Sequence, residues 1–159
     1  MEKVKIYLDE GAYMPARSHK ADAGLDLLAP RTVLGVDGKR HSLAFSVTPG
    51  RPAVIDTGVH VSIPEGYAGL IKTKSGLNVK QGVQASGVID AGYTGSVVVK
   101  LYTLDPDADV QIRPGMKIAQ LLIVPIHTPQ PCMASLEEIE AEAAEISLRK
   151  DAGFGSTGY

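Results

Sequence analysis

At 159 residues, with 16 lysines and arginines against 18 acidic residues and a formal net charge of −2, the chain has the length of one domain and no basic field for holding duplex DNA or RNA, so no nucleic-acid partner is expected. Cys132 is its only cysteine, which excludes an internal disulfide and fits a reducing, cytoplasmic setting. The longest apolar stretch, "IAQLLIVPI", falls far short of the roughly 20 residues of a membrane span, so no membrane partner is expected either.

The opening "MEKVKIYLDEG" alternates apolar Val4, Ile6 and Leu8 with polar neighbours, which predicts a strand rather than a signal peptide. Short apolar segments then recur: "GLDLLA", "AVIDTGVHVSI", "YAGLIKT", "GVIDAG", "SVVVKLYT", "DVQIRP" and "KIAQLLIVPI". Between them fall turn signals such as "DGK", "TPGRP", "IPEG", "DPDAD" and "RPG". Many short strands at this spacing predict an all-β antiparallel sandwich or barrel in a single domain, 1–159. "SVVVKLY" reads as a buried strand. Nothing alternates with long helices, so a parallel α/β sheet is not expected.

Several polar residues interrupt the pattern. Asp26 in "ADAGLDLLA" lies between Leu25 and Leu27, on the polar side of a strand, where a solvated or hydrogen-bonded residue is the plainer expectation and a carboxylate holding Mg²⁺ through waters the other. "KTKSGLNVK" (72–80) sets Lys72, Lys74, Ser75 and Lys80 around Gly76; the residue types suit a polyphosphate, while a hairpin turn with solubilising lysines is the plainer expectation. "GVIDAGYTG" (87–95) places the lone carboxylate of Asp90 ahead of a run of small residues, as a turn residue or as a base held rigidly by the sheet. Gln120 is a polar residue inside the apolar "KIAQLL" and needs partners if buried. Histidines 19, 41, 60 and 127 are scattered without metal-ligand spacing, and no GxSxG elbow occurs.

Towards the end, "SLEEIEAEAAEISL" (135–148) carries apolar residues near helical spacing behind a Ser135–Glu138 capping box, which predicts an acidic surface helix. The terminal "RKDAGFGSTGY" has the composition of a mobile tail.

Taken in order, "DAGLDLLA", "KSGLNVK", "GVIDAGYTG", "RPGMKIAQLL" and "RKDAGFGSTG" resemble the five motifs of the homotrimeric dUTPase family, over residues 22 to 158. That resemblance implies a jelly-roll-like β-barrel or sandwich with one short helical segment near the C-terminus. It also implies a homotrimer with active sites at subunit interfaces, and Mg²⁺-dependent hydrolysis of dUTP to dUMP and pyrophosphate. Asp90 would be the general base. Gln84 and the backbone of Gly87, Val88, Ile89 and Asp90 would read uracil, and Tyr93 would lie against deoxyribose and exclude a 2′-hydroxyl. Lys74, Ser75, Gly76 and Gln120 would hold phosphate oxygens, and Asp26 the waters of Mg²⁺. Residues 149–159 would order as a lid, with Phe154 over the base and Arg149, Gly155, Ser156 and Thr157 on the phosphates.

The chain departs from the family pattern where Lys74 replaces an arginine common in the family, at Gly92 and Thr94, in Met116 and Lys117 of the fourth motif, and at Lys150 and Ala152 of the fifth. The related dCTP deaminases depend on a glutamate in the strand after the hairpin; Lys100 stands there, and a lysine does not shuttle protons as that carboxylate does. A regulatory protein partner, as known for some phage-borne relatives, would find the acidic segment 137–145 the obvious surface.

Overall fold

The computed structural model describes residues 3–34, 39–42 and 45–146. The chain forms two compact units, 1–127 and 128–159. Within the first run β1 (Ile6–Leu8), β2 (Leu25–Leu28), β3 (Thr32–Leu34), β4 (Arg40–Ser42), β5 (Phe45–Val47), β6 (Ala53–Val61), β7 (Tyr67–Thr73), α1 (Ser75–Gln81), β8 (Val83–Gln84), β9 (Ser86–Ile89), β10 (Ser96–Thr103), β11 (Val110–Ile112) and β12 (Lys117–Pro125).

Among the described residues every strand pairing is antiparallel. One four-stranded sheet has the order β1-β6-β10-β8 and the other β2-β12-β7-β9; β11-β5 and β3-β4 form two-stranded ribbons. The period-2 side-chain alternation of strands decides what lies between the sheets. From the first, Ile55, Val59, Val97, Val99 and Leu101 are buried, and from the second Leu27, Ile71, Ile89, Ile118 and Leu121, all in one apolar cluster. The expected antiparallel sandwich is therefore present, with no closed barrel among the described residues.

Local expectations fare unevenly. β1 is a three-residue strand, shorter than the alternation from Val4 suggests. β10 is buried on one face only: Val97, Val99, Leu101 and Thr103 point inward, while Val98, Lys100 and Tyr102 are exposed. The apolar run hid an alternation, because valine occupies both faces.

The segment 72–80 forms no hairpin. Its second half is α1, which follows an extended Lys74 and buries Leu77. The helix ends at Gly82, whose φ of 62° is left-handed and whose N–H donates to the Asn78 carbonyl. Seven residues with Ser75 and Gly76 at the start give too few turns for a helical period to show.

The chain crosses between the sheets at Ala85, from β8 beside β10 to β9 beside β7. Thr73 fixes the crossing: its Oγ1 accepts from the Ala85 N–H (2.6 Å) and donates to the Ala85 carbonyl (3.2 Å).

In the second unit, α2 (Leu136–Ile146) has the expected capping box. Ser135 N–H donates to Glu138 Oε2 (2.7 Å), and the Glu138 N–H donates to Ser135 Oγ (3.2 Å). Those bonds hold the Glu138 carboxyl below its ordinary range. Among the described residues, no helix is long and apolar enough to cross a membrane. The lid expectation for 149–159, with Arg149, Phe154, Gly155, Ser156 and Thr157, lies outside the described residues.

Thr57 is a fully buried polar residue whose Oγ1 donates to the Val97 carbonyl (2.7 Å) and accepts from the Val59 N–H (3.3 Å). Thr57→Val keeps the shape and orphans both backbone groups. It should cost about 1–3 kcal/mol, read as a lower urea midpoint at unchanged m-value.

Candidate active site

The first cluster forms where β2, β12 and β7 meet. Antiparallel register sets Asp26 opposite Gln120, and Gln120 opposite Lys72. Of the alternatives for Asp26, the structure shows the hydrogen-bonded one and not the solvated one: it is 4% exposed, with its N–H donated to the Ala16 carbonyl. A buried carboxylate is tolerated only with partners. Here Lys74 Nζ lies 2.6 Å from Oδ1 and Lys117 Nζ 2.8 Å from Oδ2. Ser18 Oγ donates to Oδ2 (3.0 Å) and accepts from Lys117 Nζ (2.6 Å). Burial pushes the Asp26 carboxyl up, but the bonds from Lys117, Lys74 and Ser18 outweigh it and hold the group below its ordinary value.

Gln120 is half-buried in the same cradle, its Nε2 donating to the Thr73 carbonyl (3.3 Å). Ser75 and Gly76 are exposed at the first turn of α1, immediately after Lys74, and a side chain built on Gly76 would meet open space. Lys117, which the sequence reading noted only as a departure, proves as close to the buried carboxylate as Lys74. Its signal was a basic residue three positions before Gln120, but without the β2–β12 register nothing linked it to Asp26.

The second cluster is the hairpin joining β9 to β10. Ile89 is buried and anchors it; Val88 is 66% exposed, and Gly87 lies across from Ile71. Asp90 follows, exposed at the strand end. Its carbonyl accepts from the Tyr93 N–H (3.2 Å), which closes a turn. Among the described residues nothing bonds to its carboxylate, so the side chain is left to the solvent in front of the sheet. Tyr93 folds back over its own hairpin, with the hydroxyl donating to the Ser96 carbonyl (3.1 Å). The ring occupies the space that any side chain at residue 95 would need, so this pose requires Gly95.

The two clusters do not meet within one chain. Gly69 of β7 pairs with Ile89, so Asp90 leaves the sheet near residue 68, while Lys74 follows the other end of the same strand. Six residues of strand separate them, about 20 Å at the usual rise. Gln84 also stands apart from Gly87–Ile89: it pairs with Tyr102 in the other sheet.

The lowered Asp26 carboxyl implies an acid-sensitive contribution to stability. A depressed folded-state value stabilises above the ordinary carboxylate pKa, and the gain is lost as pH falls through the folded value. Asp26→Asn leaves two ammoniums without their anion; because both lysines reach solvent, the cost is discounted to about 1–3 kcal/mol at pH 7. Urea midpoints of the two proteins should converge as pH falls below the ordinary carboxylate value and through the lower folded one.

The dUTPase family model matches residues 10–158. The deoxyuridine 5'-triphosphate nucleotidohydrolase of Mycolicibacterium vanbaalenii is 35% identical over 156 residues, covering 96% of this chain and 92% of that protein. That of Corynebacterium jeikeium is 33% identical over 157 residues, covering 96% and 90%. The dUTPase of Staphylococcus bacteriophage 80alpha, solved with dUpNHpp, superposes with a TM-score of 0.76 at 33% identity over 100% of both chains. It is described as one of the phage dUTPases that control transfer of virulence genes by a proto-oncogenic G protein-like mechanism. A mutant dUTPase from phage phi11 of S. aureus, described as revealing the coordination of a structural Mg(II) ion, has a TM-score of 0.67 at 33% identity, over 84% of this chain and 97% of that one. This chain belongs to the dUTPase family.

Proposed function

We propose that the protein is a dUTP diphosphatase, releasing dUMP and pyrophosphate, and that its active sites are completed between copies of a homotrimer. The observation that carries the reading is the cradle: two ammonium groups and a serine gathered on one buried carboxylate beside Gln120, in a chain of the dUTPase family.

In the reaction, a water oxygen bonds to the α-phosphorus while the bond to the α–β bridging oxygen breaks, and pyrophosphate leaves. Asp90 takes the proton from that water, a role suited to an exposed carboxylate at a strand end to which nothing bonds among the described residues. Gly87, Val88 and Ile89 offer an ordered backbone edge to uracil, with Gln84 in support from the neighbouring sheet. Tyr93, held by its bond to the Ser96 carbonyl, presents a ring against deoxyribose where a 2′-hydroxyl would collide. Lys74, Ser75, Gly76 and Gln120 bind phosphate oxygens, and Lys117 joins them by its position. Arg149, Phe154, Gly155, Ser156 and Thr157 close over the bound nucleotide, in one functional domain spanning 1–159.

Mg²⁺ fits this donor set by exchange. Asp26 would hold the waters of the cation, and because both its oxygens face ammonium groups, Lys74 and Lys117 would have to turn to the triphosphate for it to do so. When bound, the ion would neutralise charge on the triphosphate. The span between Asp90 and Lys74 supports a site shared between copies, with the hairpin of one copy set against the cradle of another, as in a homotrimer. A regulatory partner of the kind the phage enzymes suggest would meet Leu136, Ile139 and Ile146, all exposed on α2. A cytoplasmic enzyme of nucleotide metabolism is the setting that accords with this activity.

Pyrophosphate release from dUTP, dTTP, dCTP and UTP, each with and without Mg²⁺, tests the reading: dUTP should be turned over at least about a hundredfold faster than the others. Equal release from UTP would remove Tyr93 as the sugar gate. Asp90→Asn should bind dUpNHpp as the unmodified chain does while kcat falls about a thousandfold or more; turnover at the parent rate would exclude Asp90 as the base.

A further inference from the structure

β6 carries an irregularity directly beneath the hairpin. Ser96 of β10 pairs with His60, but Val98 pairs with Asp56, so β6 accommodates extra residues there. Gly58 takes a left-handed φ of 65°, as a bulge requires. Four polar side chains, Asp56, Ser96, His60 and Asp9, gather around the base of the hairpin. Asp56 Oδ1 accepts from the Gly58 N–H (2.9 Å) and from Ser96 Oγ (2.6 Å). His60 Nδ1 lies 2.8 Å from the Thr94 carbonyl, which as an acceptor fixes the ring proton on Nδ1. On the other side of the ring, Asp9 Oδ2 is 3.3 Å from Nε2, in ion-pair range, although no hydrogen bond joins them in this orientation.

With the first proton on Nδ1, a neutral His60 would turn the bare Nε2 lone pair towards a carboxylate. A second proton converts that clash into an ion pair. We propose that Asp9 and His60 form a clamp that positions the Asp90–Gly95 hairpin through the Thr94 carbonyl, engaged when His60 is protonated. The proposal rests on the reading of that hairpin as the element carrying the base and the sugar gate. His60 is a positioning residue: it touches the hairpin backbone, and Tyr93 lies one residue before the carbonyl it holds.

The charged and titratable groups around the ring are few. From β1, the Tyr7 ring meets His60 edge-on at 5.3 Å, and Lys5 lines the same shallow cavity. Asp9 follows β1, and Asp56 lies on β6 itself. The Thr94 carbonyl raises the imidazole's pKa above the ordinary histidine value; partial burial opposes it, and Asp9 and Asp56 add to the rise. A raised folded value means that the clamp is fully engaged below the ordinary histidine pKa and released as pH rises through the folded one.

Two measurements test this on the full chain. In the substrate-free protein, the His60 ring resonances followed by NMR should titrate above the ordinary histidine value, and Asp9→Asn should bring the midpoint down. In turnover, His60→Ala should lower kcat/KM for dUTP about tenfold, as small misplacements of reacting groups do, and His60→Asn, which keeps a neutral N–H donor near the Nδ1 position, should recover most of that loss. Both variants should lack the fall in kcat/KM that the unmodified chain shows as His60 deprotonates, a change that mere loss of packing would not produce. Parent kcat/KM with an unmoved pH profile in His60→Ala, or a His60 midpoint indifferent to Asp9, would overturn the clamp. Failure of the function itself would look different: the unmodified chain would leave dUTP intact while the His60 midpoint still depended on Asp9.

Discussion

A carboxylate withdrawn from water has to be neutralised where it stands, and Asp26 imposes that demand on the seam of three strands. Its position is set by β2 pairing with β12, and its partners come from the end of β7, the start of β12 and the loop at Ser18. Desolvation alone would push the carboxyl's pKa up. The two ammoniums reverse the balance, and the result is a site already holding excess positive charge. Lys74 and Lys117 are gathered at one carboxylate before any phosphate arrives, so their exchange from Asp26 to another anion is local.

The second constraint is the length of β7. A seven-residue strand is a rigid spacer, and here it holds the Asp90 hairpin at one end and Lys74 at the other. No loop adjustment brings those ends together without breaking the pairing of β7 with both β9 and β12. The sheet that orders each half of the site also keeps the halves apart, which is the physical ground for proposing that the missing half comes from another copy.

Legibility in the sequence followed how local each cause was. The Ser135–Glu138 capping box joins groups three residues apart and was readable directly. The strands and their turns were readable because period-2 patterns and glycine or proline breakers are themselves local. α1 escaped because a single buried residue, Leu77, gives no period. Asp26 was legible as a candidate through the motif that contains it, but its burial depended on lysines 48 and 91 positions away, which no spacing announces. His60 was set aside for lacking metal-ligand neighbours in sequence; its partners, Asp9 and Thr94, are brought to it only by the β1–β6–β10 ladder.

The two halves of the proposed site are held by different physics, and the difference suits their tasks. The proposed phosphate cradle is tied by ion pairs, whose partners can exchange when a more highly charged anion enters; in that proposal Lys74 and Lys117 turn from Asp26 to phosphate. The hairpin is tied through hydrogen bonds on backbone carbonyls, from Tyr93 to Ser96 and from His60 to Thr94, which no incoming phosphate displaces. An element that reads a base edge must keep its donors and acceptors at fixed spacing, so it gains from bonds that stay made. An element that receives a triphosphate with a cation must release its own counter-ion, so it gains from bonds that trade. The fold supplies the first beside a bulged ladder and the second at a buried charge.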